Sequence, residues 1–181
     1  MSVATPALAH LARIDIPHVV HHYELPETGG PAQARGDRIA YGAAAAAALG
    51  VHAAQMFKSL VVVLEHAAGA AASAATRPER HGIALVAVDR EVNLKRVARA
   101  FGARRADLLD AAEVAKVTGY VIGGVSPFGT KRPLPVVIDD AVLSRPRIYL
   151  SAGQRGLSIE MASADLIRGL DALVAPIAGV E

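Results

Sequence analysis

The chain has 181 residues, enough for one domain with a sizeable core, and its 52% hydrophobic and 20% charged residues are those of a globular protein. A net charge of +2 does not by itself argue for nucleic acid, whose backbone calls for a clustered basic face, and the absence of cysteine excludes disulfides, thiolate nucleophiles and thiolate-bound zinc. No run of 18 apolar residues predicts a membrane span, the first residues show no basic-then-apolar leader, and a cysteine-free chain of this kind is expected in the cytoplasm.

Thr5-Pro6 predicts a helix start, with threonine as cap and proline in the first turn, and Leu8, Leu11 and Ala12 then share one helical face. Ile16 to Tyr23 reads as a strand after a break at Pro17, and Gly29-Gly30-Pro31 begins a loop. Tyr41 to Leu49 is alanine-rich and helical, with Gly50 suited to its C-terminal cap. Lys58 to Glu65 is β-branched and apolar, which predicts a buried strand. Ala67 to His81 has little to bury and reads as a hairpin-like insertion or a flexible loop. Ile83 to Val88 is the next predicted strand, and Asn93 caps a predicted helix running to Phe101. Asp110 and Glu113 have capping-box spacing for a short helix ending at Gly119. Leu134 to Asp139, Arg147 to Leu150 and Leu157 to Met161 read as strands, and Ser163 as the cap of a last helix through Leu173. This irregular alternation, with hairpin-length links in the second half, predicts a mixed α/β (α+β) single domain over residues 1–181. It favours a mixed sheet with flanking helices over a regular βαβ repeat.

The densest chemical signal is the stretch Thr118 to Pro135, which holds Gly119, Gly123, Gly124 and Gly129 together with Pro127, Pro133 and Pro135. Glycine admits close approach of backbone to a ligand and proline fixes φ, so the run reads as a shaped loop. Its Gly123–Pro127 segment either presents backbone amides to an oxyanion or forms a tight turn. No Gly-Lys-Ser/Thr follows, and no strand–turn–helix context surrounds it, so it is neither a phosphate loop nor a dinucleotide fingerprint. Lys58, one of four lysines, opens an apolar strand. Its ammonium either binds a carbonyl oxygen or phosphate, serves as a base once deprotonated, or simply snorkels to solvent. In Ser151-Ala-Gly-Gln-Arg-Gly156, Ser151 can hydrogen-bond a ligand and Arg155 can meet a phosphate, or the segment is a plain turn. His18, His21 and His22 suggest a metal by count, yet His21 and His22 leave a strand on opposite faces and no carboxylate spacing completes a set, so no metal is expected. Tyr23 and Tyr41, two of seven aromatics, either line a pocket or pack in the core. No Gly-x-Ser-x-Gly elbow is present and no Ser-His-Asp order can be drawn.

Five segments follow one another in an order that resembles the YbaK-type aminoacyl-tRNA deacylases, relatives of the editing domain inserted in bacterial prolyl-tRNA synthetase. They are Val20-His-His-Tyr23, Tyr41-Gly42 ahead of a helix, Gln55-Met-Phe-Lys-Ser-Leu60, Thr118-Gly-Tyr-Val-Ile-Gly-Gly-Val-Ser-Pro-Phe-Gly-Thr-Lys131, and Leu150-Ser-Ala-Gly-Gln-Arg-Gly-Leu157. The resemblance covers nearly the whole chain, with Gly29–Arg35 and Ala67–His81 as insertions, and Thr-Gly-Tyr-x-x-Gly-Gly-x-Ser-Pro-x-Gly is its specific motif.

The resemblance implies a twisted, barrel-like mixed sheet. It implies removal of a wrong amino acid from tRNA, most typically cysteine from tRNA(Pro), with alanyl-tRNA(Pro) as a sister specificity. A non-catalytic tRNA- or synthetase-binding module of the same fold, or a small-molecule esterase, are the other classes it leaves. Lys58 matches the essential lysine that holds the substrate carbonyl or the terminal ribose-phosphate region. Gly123 matches the start of the Gly-x-x-x-Pro loop that contacts the scissile ester, and carries Gly124, Ser126 and Pro127 with it as substrate contacts. Tyr23, Tyr41 and Ser151 match pocket positions, with Ser151 beside Lys58 and Gly123 in the catalytic set. Ser158 stands where family members often carry an acidic residue, a departure that bears on amino-acid preference. No cofactor is implied, and the implied partners are aminoacyl-tRNA and prolyl-tRNA synthetase. An aminoacyl ester is already activated, so positioning and oxyanion stabilisation suffice without a protein nucleophile. For a cysteinyl ester the family is taken to use the substrate's own thiol, giving a cyclic thioester; water or a ribose hydroxyl serves other amino acids.

Overall fold

A computed structural model of the protein describes residues 4–24, 37–66 and 80–179. The predicted loop at Gly29-Gly30-Pro31 and nearly all of the Ala67–His81 insertion lie outside these residues. The described elements run α1 (Pro6–Arg13), β1 (Val19–His22), α2 (Asp37–Leu49), β2 (Phe57–Glu65), β3 (His81–Ala87), α3 (Leu94–Ala100), β4 (Arg105–Leu108), α4 (Ala111–Thr118), β5 (Val136–Asp139), β6 (Arg147–Gln154), β7 (Leu157–Ala162), α5 (Ser163–Leu170) and β8 (Leu173–Ala175).

Capping chemistry sets the helix starts. Thr5 accepts from the Leu8 amide, Asn93 from Arg96 and Asp110 from Ala112, so each cap satisfies one of the orphan N–H groups of its first turn. The predicted capping box is only half formed, since Glu113 pairs with Lys116 at 2.7 Å on the solvent side of α4 instead of reaching back to the Asp110 amide. The predicted serine cap of α5 is corrected: Ala162 occupies the cap position, and the Ser163 hydroxyl donates to Arg145 O instead. That helix also stops at Leu170 rather than Leu173, because Asp171 turns left-handed (φ 47°) and Leu173 is drawn into β8 against Val137. The first strand is shorter than predicted, since the Ile16 amide bonds back to Leu11 O and Pro17 has no amide to give. Two strands escaped prediction. β4 is the polar run Arg-Ala-Asp-Leu, and β8 has only three residues.

The strands form two sheets rather than the single sheet predicted. β1-β7-β6 is antiparallel, and β4-β2-β3-β5-β8 is mixed, with β3-β5 and β5-β8 parallel. They meet where Met56 bridges Tyr149, without closing into a barrel among the described residues. The central strands β2 and β3 are apolar on both faces because both are covered. Phe57, Val61, Ile83 and Leu85 enter the main core with Ile148, Leu150, Leu157 and Ile159 of the smaller sheet. Leu60, Val62, Leu64, Ala84 and Val86 pack on the opposite side with Val97 and Ala98 of α3. Each such large side chain contributes about 1.5–3 kcal/mol when fully buried.

The glycine-rich stretch after α4 contains no strand or helix from Tyr120 to Pro135, so its shape depends on tethers. The buried Tyr120 hydroxyl donates to Phe128 O (2.8 Å) and Gly129 O (3.1 Å), tying the two ends of the loop across eight and nine residues. Gly129 has φ +65°, and a Cβ there would lie 2.3 Å from Pro6 O, so only glycine lets the loop rest on the first turn of α1. Burial pushes the Tyr120 phenol up to about 12. Its neutral form is therefore favoured by folding, and the stability it contributes holds below pH ~10 and is lost as pH rises toward 12. Tyr120→Phe is expected to cost about 1–3 kcal/mol in denaturant unfolding, by orphaning a buried carbonyl, and to flatten the alkaline fall in stability between those pH values.

Candidate functional site

A cavity of about 80 Å³ opens between the two sheets, beneath α2. One water needs roughly 10–15 Å³ of such space, so the cavity accepts a small group and not a large side chain. Six consecutive residues, Met56 to Val61, line it. Alternate side chains of a strand leave opposite faces, so a continuous run lines a cavity only where the strand presents its edge. The pairing shows why: β4 joins β2 from Val62 to Glu65, the Leu109 amide extends the contact to Val61 O at 2.9 Å, and the stretch before it has β3 on one side and the cavity on the other.

Lys58 sits on that stretch, its stem on the same face as Leu60 and Val62. Its ammonium donates to Arg90 O at 2.6 Å and, at a longer 3.5 Å, to Val88 O in the turn after β3. Two of its three donors are thus oriented by main-chain carbonyls, and the third has no partner among the described residues. Burial lowers the Lys58 pKa below the ordinary lysine value, and the nearby carboxylates of Glu91 and Asp89 oppose that shift. An ammonium held this way is a desolvated, pre-aimed cation for a carbonyl or phosphate oxygen.

The facing wall comes from the loop after α4. Gly123 and Val125 line the cavity, and the N–H groups of Gly123, Val125 and Ser126 meet no acceptor among the described residues. The Gly124 amide is already committed to Val121 O at 3.0 Å. Gly123 has φ +85°, and a Cβ there would come within 3.1 Å of both the Tyr41 ring and Arg155 Nε. Those two groups clasp the loop: the Arg155 guanidinium lies 4.7 Å over the Tyr41 ring and its Nε donates to Ile122 O at 2.9 Å. Arg155, read from sequence as a phosphate contact, is therefore first a tie between α2, the loop and the β6–β7 hairpin.

The remaining polar lining is hydroxylic. Ser151 and Ser158 are cross-strand partners in the β6–β7 pair. The Ser158 hydroxyl donates to Tyr23 Oη at 3.4 Å, and Ser151 Oγ accepts from the Gly153 amide at 3.3 Å beside the strand bulge. Further along the same face, His21 Nε2 donates to Glu160 at 2.9 Å and its ring packs on Tyr149. Burial raises the Glu160 pKa, but hydrogen bonds from His21, Arg147 and Tyr149 outweigh it and hold the carboxyl below its ordinary value. His18 bonds Ile16 O, and no group of three potential metal ligands exists among the described residues.

Lys58, Gly123, Ser151, Tyr23, Tyr41 and Ser158 are thus brought to one cavity from α2, four strand regions and the loop. Gly124, Ser126 and Pro127 do not line it. Gly124 packs against the Gln154–Arg155 backbone, and Ser126 is fully buried with its Oγ accepting from the Phe128 amide. Sequence reasoning passed over Ser59, Met56, Val114 and Val125. The available signal was strand alternation, which puts Ser59 in line with Phe57 and Val61 as the one hydroxyl in an apolar row.

The chain is thus a mixed two-sheet α+β domain with a lysine, a glycine loop and serine hydroxyls on one small cavity. The chain belongs to the aminoacyl-tRNA editing domain family, whose model matches residues 39–168, well over half of it. It is 32% identical over 117 residues to EbsC of Enterococcus faecalis, a candidate Cys-tRNA(Pro)/Cys-tRNA(Cys) deacylase, covering 65% of this chain and 64% of EbsC. It is 33% identical over 90 residues to the multifunctional Ser/Thr-tRNA deacylase ProXp-y of Escherichia coli K12, covering 49% of this chain and 54% of that one. The chain therefore spans between about half and just under two thirds of these relatives. A crystal structure of a candidate trans-editing enzyme for prolyl tRNA synthetase superposes with a TM-score of 0.72 at 25% identity, over 99% of this chain and all of that one. Another, of the hypothetical protein APE2540, reaches 0.74 at 22% identity over 97% of this chain, a likeness of fold alone. No helix among the described residues is long and apolar enough to cross a membrane.

Gly123→Ala is expected to lower unfolding stability by about 1–3 kcal/mol, because alanine is strained at positive φ and its methyl presses on Tyr41 and Arg155. Chemical denaturation beside near-ultraviolet circular dichroism of the tyrosines checks it.

Proposed function

We propose that the protein is a cytoplasmic trans-editing deacylase that cleaves the ester between a small, wrongly attached amino acid and tRNA, with cysteinyl-tRNA(Pro) as its leading substrate and prolyl-tRNA synthetase as the enzyme whose errors it corrects. The observation that carries this reading is the meeting of an oriented, desolvated ammonium and unpaired main-chain N–H groups at one cavity of amino-acid size.

In this reading the amino-acid side chain enters the cavity between Phe57, Val61 and Val125, with Tyr23, Tyr41 and Ser158 around it. The ester carbonyl comes to rest against the free donor of Lys58 and the Gly123 and Val125 amides. These donors are already fixed by Arg90 O and by the Tyr41–Arg155 clasp, so they stabilise the growing oxyanion with little reorganisation. The chain supplies no nucleophile. In a cysteinyl ester the substrate thiol attacks its own carbonyl carbon; the C–S bond forms, the C–O bond to ribose breaks, and the thiol proton passes to the departing ribose oxygen. For an ester without a thiol, water takes that place. Ser151 sits beside the path as a hydrogen-bonding group for the leaving side.

The alternative is a preference for alanyl-tRNA(Pro), favoured by the apolar lining from Met56, Phe57, Val61 and Val125. A panel of tRNA(Pro) charged with cysteine, serine, alanine and proline separates these readings. Lys58→Ala is expected to reduce deacylation of the best substrate by at least about 100-fold, the scale of losing one oxyanion donor, with the unfolding midpoint little changed. Wild-type rates in that variant would sink the mechanism, and binding of tRNA with no cleavage of any ester would point to a non-catalytic module. Because the ammonium is the active form and burial depresses its pKa, the rate above spontaneous hydrolysis should fall as pH rises through a value below 10.5, the ordinary lysine value.

A further inference from the structure

We infer that Ser59 reads the polar end of the substrate's side chain, which makes the deacylase proposed above selective for amino acids ending in a short hydroxyl or thiol. The inference rests on that reading and deepens it.

Ser59 Oγ is buried and has no hydrogen-bond partner among the described residues, the one side-chain N or O atom of which this is true. A hydroxyl can donate once and accept twice, and no side-chain or main-chain group of the described residues takes up that capacity. Such a group calls for a reason, and its position supplies one. Ser59 lines the cavity from β2, on the strand face shared by Phe57 and Val61, and Val114 and Val125 complete an apolar wall around it.

The two other serines of the lining each have a partner, while Tyr23 and Tyr41 bring their hydroxyls from the side of α2 and β1. Ser158 donates to Tyr23, and Ser151 accepts from Gly153. Among the described residues Ser59 Oγ is therefore the buried side-chain polar atom left uncommitted, and its neighbours Phe57, Val61, Val114 and Val125 offer only carbon. A side chain such as –CH2OH or –CH2SH can satisfy it while its methylene meets the apolar wall. A methyl or ethyl side chain leaves it unsatisfied. Discrimination then comes from the penalty of the unpaired hydroxyl as much as from the bond made in the correct complex.

Serine and 2-aminobutyrate test this, because they are nearly isosteric, differ by hydroxyl against methyl, and neither carries a thiol that could assist its own cleavage. The full chain is assayed for kcat/KM on tRNA(Pro) charged with each, as wild type and as Ser59→Ala, with cysteinyl-tRNA(Pro) alongside. The wild type is expected to favour the seryl ester by about 2- to 10-fold, the scale of one neutral hydrogen bond, and Ser59→Ala to bring the ratio near one. The variant should also melt no lower than the wild type, since it removes an unsatisfied group. An unchanged ratio in Ser59→Ala, a wild-type preference for the 2-aminobutyryl ester, or a lowered melting temperature with unchanged selectivity each overturns the inference. So does cleavage of the cysteinyl ester with neither of the other two cleaved, which leaves the deacylase reading standing. Failure of the wild type on all three esters and on alanyl-tRNA(Pro) overturns the deacylase reading itself.

Discussion

The site depends on where β4 stops pairing with β2. From the Val61 carbonyl onward β2 has neighbours on both sides; before it, Phe57 to Leu60 has β3 on one side and the cavity on the other. Because the cavity looks at this strand edge-on, it reaches residues from both faces. The Lys58 stem belongs with the α3 layer while Ser59 belongs with the main core, yet both border the same space. No helix or flat sheet face brings adjacent residues of opposite direction to one ligand in this way. Ending one strand pairing early thus creates the cavity and sets what lines it.

The opposite wall is costly to hold in shape. It has no regular secondary structure, carries unpaired amides, and includes glycines whose conformations offer no side-chain packing. Its geometry is imposed from outside: Tyr120 ties Phe128 and Gly129 together, α1 supports Gly129, and Arg155 and Tyr41 hold Ile122 and Gly123. The stability to bear this comes from β2 and β3, whose residues are buried on both faces. Rigid core and exposed chemistry are divided between the two walls, as binding loops on a firm scaffold usually are.

Much of this was legible in the chain. Capping residues at Thr5, Asn93 and Asp110 are local signals, and each accepts from an amide of its first turn, though Glu113 turns to Lys116 rather than completing a box with Asp110. The long apolar runs marked β2 and β3 because both faces of each are covered. What stayed hidden depended on partners distant in sequence. β8 exists because Leu173 meets Val137, and three residues carry no periodicity of their own. Ser163 looked like a cap, but Arg145 O, eighteen residues away, claims its hydroxyl. At the site, Lys58 and the glycine loop stood out by composition. Ser59 did not, because a serine beside a lysine is unremarkable until the strand direction turns it toward Val114 and Val125. Arg155 was visible as a charge, while its clasp on Tyr41 needed the fold.

An incompletely paired strand is ordinarily a hazard, since its free main-chain groups are a template on which another chain can add. Here that edge borders a cavity of about 80 Å³ that Tyr41 and Ile122 also line. Adding a strand takes several successive pairings along an open, flat border, and a recess of this size has no room for them. A lone amino-acid residue on the end of a long polymer can still enter. Size therefore acts as a filter on the length of what binds, keeping the border open to a single residue and closed to a β-strand of a neighbouring protein.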